Sequence, residues 1–171
     1  LVFGSPAGVS VWWNRGGQLT WIEGARAPFV VADLNGDGLP DIAATGDNRL
    51  EFRLNLAGRR FQSQAGPALP GAITALAAAY LRDGVLSLVA GGREGAGWRF
   101  DRTAPPSHWL RLNLEGVRSN KEGVGAVIEV KAGNFYSRAI VGPEPLTLET
   151  GTLAKVDVVR VTWPNGIVQN V

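Results

Sequence analysis

Cysteine and methionine are both absent from the 171-residue chain, and histidine occurs once. Without cysteine there are no disulfides, no thiolate metal sites and no thiol nucleophile. With His108 as the sole imidazole, a histidine-rich metal site cannot be built either. A Ser–His–Asp arrangement would have to use His108, and no G-x-S-x-G elbow accompanies it. The position of His108 between a proline-rich linker and a strand gives it a linker or surface role. No apolar run approaches the roughly 18 residues of a membrane span. The longest candidate, Ile73 to Tyr80, is far shorter, so membrane insertion is not expected. A chain without an initiator Met reads as a mature or trimmed part of a longer polypeptide, and the lack of a signal peptide says nothing about export.

Charge of one sign is scarce too. The net charge is +2, and the arginine excess of residues 57–106, with Arg59 and Arg60 adjacent, reads as scattered solvated side chains. No basic and aromatic interleaving points to nucleic acid. Helical periodicity is missing beyond a turn or two, whereas glycine (23) and proline (10) are frequent. Those proportions, with short β-branched runs, point to an all-β chain rich in turns.

The most informative segment is Asp33-Leu34-Asn35-Gly36-Asp37-Gly38-Leu39-Pro40-Asp41. Oxygen-bearing side chains stand at its positions 1, 3, 5 and 9, with glycines at 4 and 6. A hard cation such as Ca2+ takes six to eight oxygens. Asp33, Asn35, Asp37 and Asp41 supply side chains, and the Leu39 carbonyl is placed to add a backbone oxygen. Without a cation, three carboxylates crowded this closely repel one another. The alternative is an Asp/Asn/Gly turn that binds nothing. An EF-hand shares the opening D-x-N-x-D-G but ends on a bidentate Glu at position 12, where this chain has Ala44. Phe29–Ala32 before the loop and Ile42–Thr45 after it read as strands, and Pro40 opposes a helix. A modest Ca2+ site fills where Ca2+ is near millimolar, which points to an extracellular or cell-surface location.

Aligning Asp37-Gly38 with Asp83-Gly84, a shift of 46 residues, lays Ile42–Gly46 over Leu88–Gly92. A period in the forties with several short strands per unit predicts propeller blades. In the second copy Asp33, Asn35 and Asp41 become Ala79, Leu81 and Ser87, so one ion site is expected, not two. Leu1–Gly4 resembles Leu88–Gly91, and Val9–Trp13 resembles the strand ending at Trp98-Arg99-Phe100, so the chain is expected to begin in mid-blade. A partial propeller exposes sheet edges that invite pairing with another subunit or with the remainder of a parent polypeptide. Gly91–Gly97 lies between strands and opens no helix, so it reads as a turn and not a phosphate cradle.

Thr103–Pro106 is the expected linker. Beyond it Trp109–Leu114, Val124–Lys131 and Val156–Trp163 alternate with a period of two. Pro164-Asn165-Gly166 closes a tight hairpin into Ile167-Val168, with Asn-Gly suited to positive φ. Residues 105–171 are therefore expected to form a small antiparallel β domain after the blades of 1–104.

Two resemblances follow from these residues. Phe29-Val30-Val31-Ala32-Asp33-Leu34-Asn35-Gly36-Asp37-Gly38-Leu39-Pro40-Asp41-Ile42 resembles the strand–loop–strand consensus of FG-GAP/VCBS repeats. That likeness implies integrin-head-like propeller blades and Ca2+ held by Asp33, Asn35, Asp37, the Leu39 carbonyl and Asp41. His108–Gly116, Ser119–Ala126 and above all Val159–Gly166 resemble the ASPIC/UnbV domain, which often follows such repeats in secreted bacterial proteins and relatives of cartilage acidic protein. The chain departs from that pattern in a shortened stretch, Val141–Leu146 with Thr150-Gly151, before its last hairpin.

The reading that follows is a non-catalytic, Ca2+-stabilised binding or structural module of the exterior, engaging protein partners through sheet edges. The competing reading is carbohydrate binding, as a lectin or an accessory domain of a polysaccharide-active enzyme, with Trp12, Trp13, Trp21 and Trp98 as stacking platforms. Against it stands the expectation that these tryptophans fill the gaps between blades. No spacing nominates a carboxylate pair for glycoside hydrolysis.

Overall fold

The computed structural model describes the chain except for Pro6, Asn14, Arg15, Asp83, residues 103–107, Arg118 and Ser119. The expected linker at 103–106, the Asp83 counterpart of Asp37, and Ser119 of the second resemblance lie outside the described residues. The described residues are all-β, with strands joined into small antiparallel sheets and one short 3-10 turn at Arg93–Gly95. They close neither a barrel nor a complete propeller. Among them no helix is long and apolar enough to cross a membrane. Spatial proximity divides the chain into two units, Leu1–Asn35 with Leu39–Thr103, and Gly36–Gly38 with Ala104–Val171.

The first unit holds three up-and-down sheets in chain order. Sheet A contains β1 (Val2–Ser5), β2 (Gly8–Trp13) and β3 (Gln18–Ile22). Sheet B contains β4 (Arg26–Ala32), β5 (Asp41–Thr45), β6 (Arg49–Asn55) and β7 (Phe61–Ala68). Sheet C contains β8 (Ile73–Arg82), β9 (Val85–Gly92) and β10 (Gly97–Asp101). Alternation along a strand sends successive side chains to opposite faces, yet every residue of β5 is buried. Sheet B is covered on both faces. Ile42 and Ala44 join Val9, Val11 and Ile22 of sheet A in one core, whereas Ala43 and Leu50 join Leu88 of sheet C in another. Buried Arg53 of β6 donates through Nη2 to the Glu23 carbonyl beyond β3 and through Nη1 to Glu51 at 3.1 Å. Its charge is thereby paired, as a buried guanidinium requires.

The register refines the expected repeat. β9 follows β5 by 46 residues, with Ile42 and Leu88 both buried against the preceding sheet. Val31 stands opposite Ile42, however, and Ala78 opposite Leu88. The flanking strand β8 is thus displaced from β4 by 47 residues, and facing confirms it, because Phe29 and Leu76 both turn toward the preceding sheet. The alignment of Asp33 with Ala79 and Asn35 with Leu81 is therefore corrected. β8 and β9 run on through Arg82 opposite Val85, where β4 and β5 stop at either end of the 33–40 loop.

In the second unit, β12 (Val127–Ala132) is the centre of a sheet ordered β13 (Phe135–Ile140), β12, β15 (Val158–Thr162) and β16 (Val168–Asn170). A separate ladder joins β11 (His108–Leu112) to β14 (Leu146–Gly151). Ala126, Ile128, Val130, Val159 and Val161 are buried together, with Leu110, Leu112, Leu114 and Trp163 packed against them, as the alternation predicts. The last hairpin turns over Trp163–Gly166, where the Gly166 N–H donates to the Trp163 carbonyl at 2.8 Å. Only Gly166 takes positive φ there (+86°), so the turn is set by Pro164 and a terminal glycine and not by a left-handed Asn-Gly pair.

Candidate metal loop

The candidate site is the 33–41 segment, and β4 and β5 hold its two ends. Gly36 and Gly38 have φ of +82° and +83°, a region open to glycine and costly for residues with a Cβ. Two left-handed glycines alternating with Asn35, Asp37 and Leu39 fold the backbone back on itself. Flanking strands in place of helices agree with the exclusion of an EF-hand.

Asp41 anchors the loop. It is fully buried, and both oxygens are held by backbone: Leu34 N–H donates to Oδ2 at 2.8 Å, and Asn55 N–H donates to Oδ1 at 2.7 Å. The Asn55 amide donates from Nδ2 to the Pro40 carbonyl at 3.2 Å, and its Oδ1 accepts the Ala57 N–H at 3.0 Å. Asp33 and Leu39 are half-buried, and Asn35 and Asp37 are exposed.

The donors fit a hard cation in kind: three carboxylates, one amide oxygen and one carbonyl, with no nitrogen or sulfur. Among the described residues, no group of three or more His, Cys, Asp and Glu side chains is gathered closely enough to hold a metal ion.

Asn55 is marked by no motif or spacing along the chain. It lies 14 residues beyond Asp41, and the β5–β6 hairpin brings the two together. Sheet C builds a related bond with the chemistry exchanged. Ser87 on β9 donates its hydroxyl to Asp101 Oδ1 on β10 at 2.7 Å. That hydrogen bond, with the Arg99 and Arg82 guanidinium groups alongside, holds the Asp101 carboxyl below its ordinary value despite some desolvation.

The other expected positions are distributed as follows. His108 opens β11 and is exposed, so it belongs to a strand surface and not to a linker. The Gly91–Gly97 stretch is the turn between β9 and β10, as expected. Trp13 fills a gap between sheets A and B, with its ring 5.8 Å from that of Phe61 and its Nε1–H donating to Thr20 Oγ1 at 2.8 Å. Trp98 is half-buried over Gly71 and Gly92. Trp12 and Trp21 do not fill gaps. They lie 39% and 54% exposed on the face of sheet A turned away from sheet B, which corrects the expectation for these two.

No protein-family model matches the chain. No curated protein and no solved structure matches it either.

Proposed function

We propose that the chain is a non-catalytic, Ca2+-stabilised binding and structural module of an extracellular or cell-surface protein. In this reading sheets A, B and C are blades of a partial FG-GAP/VCBS-type propeller, and residues 105–171 are an ASPIC/UnbV-like β domain. The observation that carries the reading is the state of Asp41. A buried carboxylate fixed by two backbone N–H groups closes a loop whose other oxygens, on Asp33, Asn35, Asp37 and Leu39, form a hard-cation donor set. The stacking of sheet B between two neighbours supports the blade assignment.

When bound, Ca2+ supplies positive charge that offsets the repulsion among Asp33, Asp37 and Asp41. The residues themselves pin the β4–β5 connection, so that neighbouring strands keep register. Among the described residues β10 is an edge strand of sheet C, a position that suits addition of a strand from a protein partner.

Calorimetric titration with CaCl2 tests this. The expected result is one site per chain, lost in Asp37→Ala with the fold intact by circular dichroism. Absence of heat and of any Ca2+-dependent change in the wild-type chain would refute it.

Exposure of Trp12 and Trp21 favours carbohydrate binding as a second reading. Weighing against it, Leu1, Phe3 and Leu19 share that face and offer a sugar no hydrogen-bonding side chains.

A further inference from the structure

Sheet A has one covered face and one open face. Val9, Val11 and Ile22 are buried against sheet B. The opposite face carries two cross-strand rows. Phe3, Ser10 and Trp21 form one. Leu1, Trp12 and Leu19 form the other, with Leu1 and Trp12 exchanging backbone hydrogen bonds at 2.7 and 2.9 Å. Phe3 is 50%, Leu19 56% and Trp21 54% exposed. Five large apolar side chains on one sheet face exceed the scattered exposure that a soluble surface normally shows.

The two other sheets show what covers such a face. In sheet B the corresponding side, with Phe29, Ile42 and Ala44, lies against sheet A. In sheet C it holds Leu76, Ala78 and Leu88 and lies against sheet B. Each bulky face is covered by the sheet before it in the chain.

The molecule also carries an open face of the opposite kind, on the far side of sheet C. Its open rows are Ala75–Gly91–Gly97 and Ala77–Val89–Arg99, whereas Ser87 in the next row is fully buried. Apart from Arg99, which is ion-paired with Asp101, these rows are flat and made of Ala, Gly and Val. One open face is rich in protruding rings, and the Ala, Gly and Val rows of the other carry none. They are the two ends of one continuous stack, so each continues an interface already built inside the unit.

We propose that these faces bind each other between copies of the chain. The open face of sheet A in one copy docks on the open face of sheet C in a second copy, head to tail, continuing the A–B–C order. Phe3 and Leu1 meet the Val89 row, and Trp12 offers its ring to the Arg99 guanidinium, a contact that gains strength when water is excluded. Such a contact joins two different patches, so it closes into a ring or grows into a filament according to the rotation between copies. The inference shares the reading of the sheets as stacked units with the proposed function but does not depend on the cation.

Sedimentation velocity over a range of concentrations tests it on the intact chain. Wild type is expected to self-associate. Phe3→Asp, on one face, and Val89→Asp, on the other, are each expected to weaken association at least tenfold while keeping the wild-type melting profile. Should Val89→Asp fail to fold, Ala77→Arg replaces it on the same exposed row. The decisive sample is the mixture. One intact sheet A face from the Val89 variant and one intact sheet C face from the Phe3 variant should form a one-to-one dimer that grows no further.

A wild-type chain that stays monomeric at high concentration overturns the proposal. Association that resists both charges does so too, and points to pairing through sheet edges. A mixture that fails to form the dimer also overturns it, and indicates contact between like faces. Calcium binding is read separately by calorimetry, so loss of this inference leaves the metal reading standing, and the reverse holds equally.

Discussion

Asp41 Oδ1 on β5 accepts the backbone N–H of Asn55 at the end of β6 at 2.7 Å, and the carboxylate is fully buried. One side chain thus joins the close of the loop to the neighbouring strand, while its other oxygen holds Leu34 at the loop's beginning. Removing it orphans two backbone donors. Asp41→Ala is expected to destabilise the first unit by about 3 kcal/mol or more, from two hydrogen bonds to a charged acceptor at about 1.5–3 kcal/mol each. Asp41→Asn keeps one acceptor oxygen and should cost less. Urea unfolding followed by tryptophan fluorescence measures both, and a wild-type midpoint for Asp41→Ala would show that the bracing is idle.

Ser87 and Asp101 make a pH-dependent counterpart in sheet C. The folded value of Asp101 lies below its unfolded value, chiefly through the Ser87 hydroxyl and then the nearby arginines. The stabilisation is therefore complete above the ordinary carboxylate value and is lost as pH falls through the lowered folded value. Ser87→Ala should move the Asp101 titration up toward the ordinary range in a carboxyl-detected NMR experiment. An unmoved titration would assign the shift to Arg99 and Arg82 alone.

Gly66 sits where β6 and β7 slip register between Arg49 and Glu51. A Cβ there would come within 2.8 Å of the Leu50 carbonyl oxygen and 2.9 Å of the Leu50 Cβ. Leu50 is buried in the core shared with sheet C and has no room to move aside. Gly66→Ala should cost about 1–3 kcal/mol, the usual effect of forcing atoms into a packed core. Thermal unfolding at wild-type stability would mean that the irregular register absorbs the methyl group.

The sequence carried the strand–loop–strand of 29–45 in its apolar runs and in the oxygen spacing between them, and β4 and β5 stand where those runs predict. Leu110, Leu112 and Leu114, with Ile128 and Val130, also reach their core by simple alternation. Three things were not legible, each for a physical reason. The one-residue difference between strand displacements appears only when cross-strand partners are known, because both alignments match apolar residues with apolar residues. The division of Trp13 from Trp12 follows from which face another sheet covers, and alternation states only that the two faces differ. The role of Asn55 depends on the β5–β6 pairing, which sets it beside Asp41, 14 residues earlier.

The most direct test of the metal reading is a thermal melt of the chain in Ca2+ and in chelator, with Asp37→Ala beside it. If Asp33, Asn35, Asp37, Leu39 and Asp41 hold the ion, saturating Ca2+ at about a hundred times Kd stabilises the wild type by about 2.7 kcal/mol. The melting temperature then falls in chelator, and Asp37→Ala melts alike in both. Superimposable wild-type curves in Ca2+ and chelator would contradict the account and leave the 33–41 loop a turn that holds no ion.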